Sequence, residues 1–485
     1  MVNFRILSKI IGSLLFIEAF FMAWCLAMAF GYREDDTMAF LLSTLLTFGC
    51  GCLFLFFGRQ SGNSLSRRDA YLVVTAVWII FSCFGMFPYL FHGTITNFTD
   101  AYFESMSGFT TTGCSTIDDL ERLPHAMLFW RSLTQWIGGL GIVFFTIAIL
   151  PSLVGGSMKV FAAEATGPVK AKMHPRLTTS AKWIWSVYLF LTVVCALCFW
   201  LADMDWFDAI NYAMTTTATG GFSTHNDATI YFNSVLIDYI AILFQFLAGI
   251  NFTLLYLTLF KFRVGNLLRN AEFKFYVTLV TAFTVGIAAM LVVQVGYDYE
   301  PAFRSALFQV VSFVTTTGVF NDNVALWPHL TWVLLGVLMF IGACAGSTTG
   351  GFKSVRAVML LKVLRNEFRH ILHPNAVLPV KLGDQTVPQS RIISLLAFFI
   401  AFTLMVLLTT TIMVVAGIDN TNAITIALSC MSNVGPSLAT DIGENILWSQ
   451  LPDIIKWACS LLMLMGRLEI MTVLVLFTPS YWKDS

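Results

Sequence analysis

Four short stretches carry residues able to strip water from a small cation: Thr110-Thr111-Thr112-Gly113, Thr217-Ala218-Thr219-Gly220-Gly221, Thr315-Thr316-Thr317-Gly318 and Ser432-Asn433-Val434-Gly435-Pro436. Glycine lets the backbone adopt conformations a Cβ forbids, so that carbonyl oxygens can point at a common axis. Converging carbonyls replace an ion's hydration shell, and threonine hydroxyls add ligands. One Thr-Thr-Gly is a weak signal. Four, with Gly113, Gly220, Gly318 and Gly435 recurring about every hundred residues, form an internal repeat. The expected cation-coordinating residues are Thr111, Thr112 and Gly113; Ala218, Thr219 and Gly220; Thr316, Thr317 and Gly318; and Asn433, Val434 and Gly435. Ala218 and Asn433-Val434 break the threonine pattern, so the ring is expected to be only pseudo-fourfold, with fewer fully ordered ion sites.

Each stretch ends an amphipathic segment that opens on acidic or polar residues: Asp100 onward, Trp206-Phe207-Asp208 onward, Ala302 onward and Thr421 onward. A short helix there aims its C-terminus, carrying roughly half a negative charge, at the loop. The acids Asp118, Asp119, Glu121, Asp203, Asp205, Asp322 and Asp441 lie on the same side and either concentrate cations or form an ordinary solvated surface.

The elements positioning these loops belong in lipid. The chain has 485 residues, 57% hydrophobic and 12% charged, against about 25% charged in soluble domains. Apolar runs near the ~20 residues a bilayer requires fall at 4–30 and 38–57, then in four pairs: 71–91 with 126–150, 182–201 with 236–260, 275–295 with 330–361, and 392–416 with 454–478. The fold class is therefore all-α integral membrane: two N-terminal helices plus four pseudo-symmetric helix–pore loop–helix repeats around one pore. The divisions expected are 1–60, 61–155, 156–262, 263–372 and 373–485. Twenty-two of the 28 Lys and Arg lie on one side, which places both termini in the cytoplasm. Most of the cysteines are expected to be small buried residues, and Cys114, in an external loop, has no evident partner.

The second span of the third pair contains Gly342-Ala343-Cys344-Ala345-Gly346-Ser347-Thr348-Thr349-Gly350-Gly351. Ten small residues weaken helix and are expected to form an unwound loop below the cation ring. Arg467, followed by Glu469, reaches a similar depth, and an intramembrane Arg is functional by default. The expected gate is Ala345, Gly346, Ser347, Thr348, Thr349, Gly350, Gly351, Lys353 and Arg467. Two decoys fail. Gly346–Gly351 with Lys353-Ser354 lacks the adjacent Gly-Lys and preceding strand of a phosphate loop, and His370-x-x-His373 lacks further metal ligands.

The four loops, Gly342 to Lys353, Gly466-Arg467-Leu468-Glu469, Gly220-Gly221-Phe222-Ser223-Thr224-His225 and Asn251-Phe252-Thr253 together resemble the TrkH/TrkG membrane subunits of bacterial Trk potassium uptake systems, in the Trk/Ktr/HKT superfamily. The resemblance implies K⁺ as the transported ion, bound in the loops, and no organic cofactor. It implies a homodimer in the inner membrane, with a pore in each subunit, and a cytoplasmic nucleotide-binding ring partner of TrkA type. Basic loops at 159–182, 261–274 and 353–391 are candidate docking surfaces for that partner and for anionic lipid. No nucleic-acid partner and no enzymatic activity are expected, because the spans hold no nucleophile–base pair or metal-ligand set. The rival reading is a secondary transporter coupling K⁺ to H⁺ or Na⁺, for which Glu18 is a candidate ionisable residue, although it lies outside the four repeats.

Overall fold

A computed structural model describes residues 3–59, 66–141, 177–383, 385–437 and 447–483. Two long helices, Phe4–Tyr32 and Thr37–Gly58, pair first. Their backbones approach at Gly12 and Gly51, where an added Cβ would meet the opposite chain within about 3.3 Å; small residues allow such contact between spans. Four repeats follow, each with a first span, a short buried helix, a loop and a second span.

The first spans run Arg68–His92, Ala181–Leu201, Ala271–Val295 and Gln389–Val415, all long and apolar enough to cross a membrane. The chain is a multi-pass membrane protein. The short helices are Phe98–Phe109, Trp206–Ala218, Tyr299–Val314 and Asn420–Ser432. Three start at a cap whose side chain accepts a backbone N–H: Asn97 from Thr99, Asp205 from Phe207 and Asp419 from Thr421. These caps satisfy otherwise orphaned donors and fix where each helix begins.

The second spans of repeats 2, 3 and 4 are bent or interrupted. Repeat 1 ends its helix at Gly139, and the remainder of the expected span 126–150 lies outside the described residues. In repeat 2, Val235–Ala248 and Phe252–Leu259 meet at 108°. Repeat 3 is interrupted between Ile341 and Ser354 by the expected loop. In repeat 4, Asp453–Leu468 and Ile470–Phe477 meet at 114° across Glu469, whose φ is +63°. The apolar runs expected at 236–260 and 454–478 are thus bent spans. A two-residue hairpin, Lys381 opposite Thr386, is the only strand pairing among the described residues.

The termini gather at the start of repeat 1. The Asn3 N–H donates to Asp69 at 3.0 Å, and the Tyr481 hydroxyl donates to the Arg68 carbonyl at 2.7 Å.

At the opposite end, Asp36 sits in the turn joining the first two helices. It is buried, and its carboxylate oxygens hydrogen-bond nothing among the described residues. Burial, then the nearby charge of Glu34, raises its pKa to about 6, against about 3.9 unfolded. The folded form prefers the proton. This group's contribution to stability is therefore complete below about pH 4 and is lost as pH rises through 6. Asp36→Asn should melt with the parent below pH 4 and above it at pH 7. Equal melting temperatures at pH 7 would contradict the assignment.

Candidate functional site

The four loops close into a ring. Backbone with positive φ recurs in pairs: Thr111 and Gly113, Thr219 and Gly221, Thr316 and Gly318, Asn433 and Gly435. Between the members of each pair, one N–H reaches back five residues into the short helix: Thr112 to Ser107 at 2.9 Å, Gly220 to Thr215 at 2.9 Å, Thr317 to Ser312 at 2.8 Å and Val434 to Ser429 at 3.1 Å. A Cβ on Gly113 would strike the carbonyl of Gly220; on Gly221, that of Thr317; on Gly318, that of Val434; and on Gly435, that of Thr112. Each glycine therefore abuts the carbonyl of the next repeat, in cyclic order.

This geometry corrects the register expected for repeat 2. Gly221, not Gly220, is the equivalent of Gly113, Gly318 and Gly435. Gly220 stands level with Thr112, Thr317 and Val434. Ala218 moves out of the loop altogether, as the last residue of its helix. With two successive glycines, matching on Thr-Gly selects the wrong one.

The broken threonine pattern has a geometric counterpart. Thr110 and Thr112 hydroxyls lie 2.8 Å apart, as do those of Thr315 and Thr317. Repeats 2 and 4 carry Ala218/Gly220 and Ser432/Val434 at these positions. In repeat 4, Asn433 donates instead to the Thr112 hydroxyl at 3.0 Å and the Met463 carbonyl at 2.9 Å.

Residues 342–353 pass directly beneath this ring. The Gly350 N–H donates to the Thr316 hydroxyl at 2.8 Å. The Thr348 hydroxyl lies 3.3 Å from that of Thr219 and 3.2 Å from the Thr217 carbonyl. A Cβ on Gly350 would run into the Ser432 carbonyl, so the loop presses against repeat 4 as well. From below, Cys344 N–H donates to the Gly249 carbonyl, and the Gly346 carbonyl accepts from Phe252 N–H at 2.9 Å. Asn251 donates to the Ala345 carbonyl at 2.6 Å, and Glu272 accepts from the Ala345 N–H at 2.6 Å. The break in repeat 2 is thus the seat of the loop. Ser347 and Thr349 hydroxyls pair at 2.7 Å, and Lys353 donates to the Thr349 carbonyl at 2.7 Å. Phe352 and Gly351 complete the return to helix.

Arg467 completes the arrangement. It donates to the Thr348 carbonyl at 2.7 Å and to the Gly138 and Gly139 carbonyls at 2.5 Å. Glu469 pairs with Arg356 at 2.7 Å. Apart from Ala218, the residues named from the sequence for the ring and the loop beneath it lie together in two stacked layers.

The TrkH cation transport protein family model matches residues 37–484. The chain belongs to this family. TrkH of the Trk potassium uptake system of Escherichia coli K12 is 36% identical, over 99% of this chain and all of that one. TrkG of the same organism is 33% identical over 99% of each. The crystal structure of the potassium transporter TrkH from Vibrio parahaemolyticus superposes with a TM-score of 0.89 at 34% identity, covering 99% of this chain and 100% of the other. As a TrkH-family member the chain is a transport protein and not an enzyme, and the expected repeat architecture holds.

This TrkH-family chain also braces its loops with charges the sequence reading passed over. Glu104 and Arg131, both essentially inaccessible, pair at 3.0 Å. Arg131 also donates to the Ser223 carbonyl and the Ser115 hydroxyl, each at 3.0 Å, and stacks 4.2 Å over Phe222. Glu104 accepts from the Thr116 N–H at 2.8 Å. One buried pair thereby ties the segments leaving loops 1 and 2. Asp238 of the second span of repeat 2 holds Arg304 of the third short helix, and Lys456 of the fourth second span holds Asp100 of the first short helix at 2.5 Å. Gln135 donates to the Gly220 carbonyl at 2.7 Å and accepts from Phe222 N–H at 3.0 Å. Ionic residues inside apolar spans were the available signal. Arg131→Met leaves Glu104 buried and unpaired, so it should destabilise the protein by about 3–5 kcal/mol, read as a lowered thermal midpoint. A midpoint unchanged from the parent would contradict the bracing role.

Several external acids are engaged locally: Asp118 with Ser449, Asp119 with Arg122, and Glu121 with His225, which also meets Asp208 at 3.1 Å. Asp441, and the basic residues 159–176 of the first candidate docking loop, lie outside the described residues. Cys114 is buried, and its thiol donates to the Gly435 carbonyl at 3.3 Å.

Proposed function

We propose that this chain is the membrane subunit of a Trk-type system and takes up K⁺ through one channel-like pore, in which the four loops form the selectivity filter. The observation that carries this reading is the cyclic contact of each loop glycine with the next repeat's carbonyl. Carbonyls of Thr112, Gly220, Thr317 and Val434 then form one ring at the end of four converging short helices, whose dipoles favour a cation. Fixed backbone oxygens select by replacing the hydration shell, while the buried ion pairs hold their spacing. In this reading Ala345–Gly351 with Lys353 is the gate, held shut by Arg467, and the pore is closed in the conformation described.

The repeats divide at 61–155, 156–262, 263–372 and 373–485, after the helix pair 1–60. Relatives named as Trk system potassium uptake proteins favour K⁺ as cargo and a multicomponent assembly. The assembly we propose is a homodimer in the bacterial inner membrane, with both termini cytoplasmic and a nucleotide-binding TrkA-type ring docked on the basic loops. A coupled transporter is kept as a second reading for one reason: Glu18 is fully buried in a span, and its carboxylate hydrogen-bonds nothing among the described residues.

Flux into liposomes decides between them. Passive K⁺ and Rb⁺ flux should exceed Na⁺ and Li⁺ flux, and Gly113→Ser should erase the discrimination. Flux that requires a proton gradient and ignores Gly113 would overturn the channel reading.

A further inference from the structure

A cleft of about 800 Å³ opens on the side of the molecule between the N-terminal helix and repeat 2. Phe20 and Trp24 line one wall, Val193 and Leu197 the other, and Trp136 and Thr192 the floor. The four wall residues are exposed although they lie on membrane-spanning helices, so the cleft opens onto lipid. Its polar groups are largely committed. The Thr192 hydroxyl accepts from the Trp136 indole at 3.1 Å and donates to the Tyr188 carbonyl at 2.9 Å. Asn211 donates to the Phe207 carbonyl at 2.7 Å, leaving one acceptor oxygen. Ordered water needs two to four polar partners, and the cost of an empty apolar cavity grows with its volume. An apolar chain from the bilayer satisfies both constraints.

The outer rim indicates which lipid. Tyr32 and Trp206 line that end of the cleft, and Trp200 stacks on Trp206 at 4.6 Å. All three are about half exposed, as in the aromatic belts found at headgroup level. Within three residues of Tyr32 or Trp206 stand Glu34, Asp35, Asp203 and Asp205 against one Arg, Arg33. Glu34 is already held by His125, whose backbone N–H and ring Nδ1 each lie 2.7 Å from its carboxylate, and Asp35 meets His92 at 3.3 Å, which leaves Asp203 and Asp205 to face a ligand. Such a rim attracts an ammonium and repels an anionic headgroup.

We infer that this cleft binds one acyl chain of an amine-headed zwitterionic phospholipid, phosphatidylethanolamine, with the ammonium at the Asp203–Asp205 rim. The floor connects to the gate. Thr192 lies 2.9 Å from the Thr217 hydroxyl, and the Thr217 carbonyl accepts from Thr348. Any effect of the lipid on flux rests on the function proposed above; binding itself does not.

The test therefore reads binding. The full chain is placed in nanodiscs with phosphatidylethanolamine carrying a photoreactive diazirine in its acyl chain, or with phosphatidylglycerol carrying the same tail. Labelled peptides are then mapped. Phosphatidylethanolamine should label peptides from 4–32 and 177–201 several-fold more than phosphatidylglycerol does. Ala196→Trp, which fills the cleft, should remove that labelling. Asp203→Asn with Asp205→Asn should bring the two lipids to parity without filling the cleft, which keeps the test open should the Trp variant misfold. Labelling spread evenly over the lipid-facing helices and unchanged by Ala196→Trp would mean annular lipid only and would overturn the site. Equal labelling by the two lipids in the parent would overturn the headgroup assignment. Cross-links between two copies through this cleft would replace lipid with a second chain as its occupant.

Discussion

Arg467→Ala should raise K⁺ flux through liposomes by about tenfold or more in the absence of any regulatory partner. The guanidinium bridges two bodies that must separate when the loop moves. One side is the Thr348 carbonyl in the loop; the other is the pair of carbonyls at Gly138 and Gly139, where the helix of repeat 1 ends. Hydrogen bonds to a charged group contribute about 1.5–3 kcal/mol each. Loss of one such bond's net value already shifts a closed-to-open equilibrium about tenfold. The bond from Lys353 to the Thr349 carbonyl joins two residues of the same loop stretch and does not replace the bridge to Gly138 and Gly139. Arg467→Lys should fall between parent and Ala, because a lysine ammonium lacks the planar fork that reaches three carbonyls together. Parental flux in a folded Arg467→Ala protein would remove Arg467 from the gate and leave it a structural clamp.

What the sequence made legible follows a physical divide. Hydropathy reports burial in lipid, so the first spans and their pairing were readable. Asp and Asn before an amphipathic run report helix starts, so the short helices were too. Ten consecutive small residues leave helix little to recommend it, and the loop at 342–353 appeared as expected. Bends were different. Ala248 to Phe252 and Leu468 to Ile470 interrupt runs whose composition is the same whether the helix is straight or broken, and only Asn251 and Glu469 mark them. Pairings were harder still. Glu104 and Arg131 are 27 residues apart on different elements, and no local pattern joins them. Charges inside spans could have been matched as a set, Arg131, Asp238 and Lys456 against Glu104, Arg304 and Asp100, but only a fold says which faces which. The register of loop 2 failed for a narrower reason: only Gly220 directly follows a threonine, as Gly113 and Gly318 do, so a Thr-Gly rule picks it, and only backbone dihedrals put Gly221 in the equivalent place.

That distinction yields a second large effect. Gly221→Ala should abolish selective flux, and as completely as Gly113→Ala should. Its φ is +82°, a region costly for a residue with a Cβ, and the new methyl would enter the space of the Thr317 carbonyl, which is backbone in the ring itself. No side-chain change elsewhere can relieve that clash. Gly220→Ala also meets an obstacle, but a different one: the amide of Gln135, which braces the loop through the Gly220 carbonyl and Phe222 N–H. A side chain can be shortened. Gly220→Ala combined with Gln135→Ala should therefore recover K⁺ flux relative to Gly220→Ala alone, whereas Gln135→Ala should do nothing for Gly221→Ala. Paired K⁺ and Na⁺ flux in the four variants measures this directly. Rescue of Gly221→Ala by Gln135→Ala, or full selectivity in Gly221→Ala by itself, would return Gly220 to the position of Gly113 and undo the register on which the ring is built. The expected asymmetry would instead place a backbone oxygen on one side of the contact and a dispensable brace on the other, as a ring of carbonyls held from behind by side chains requires.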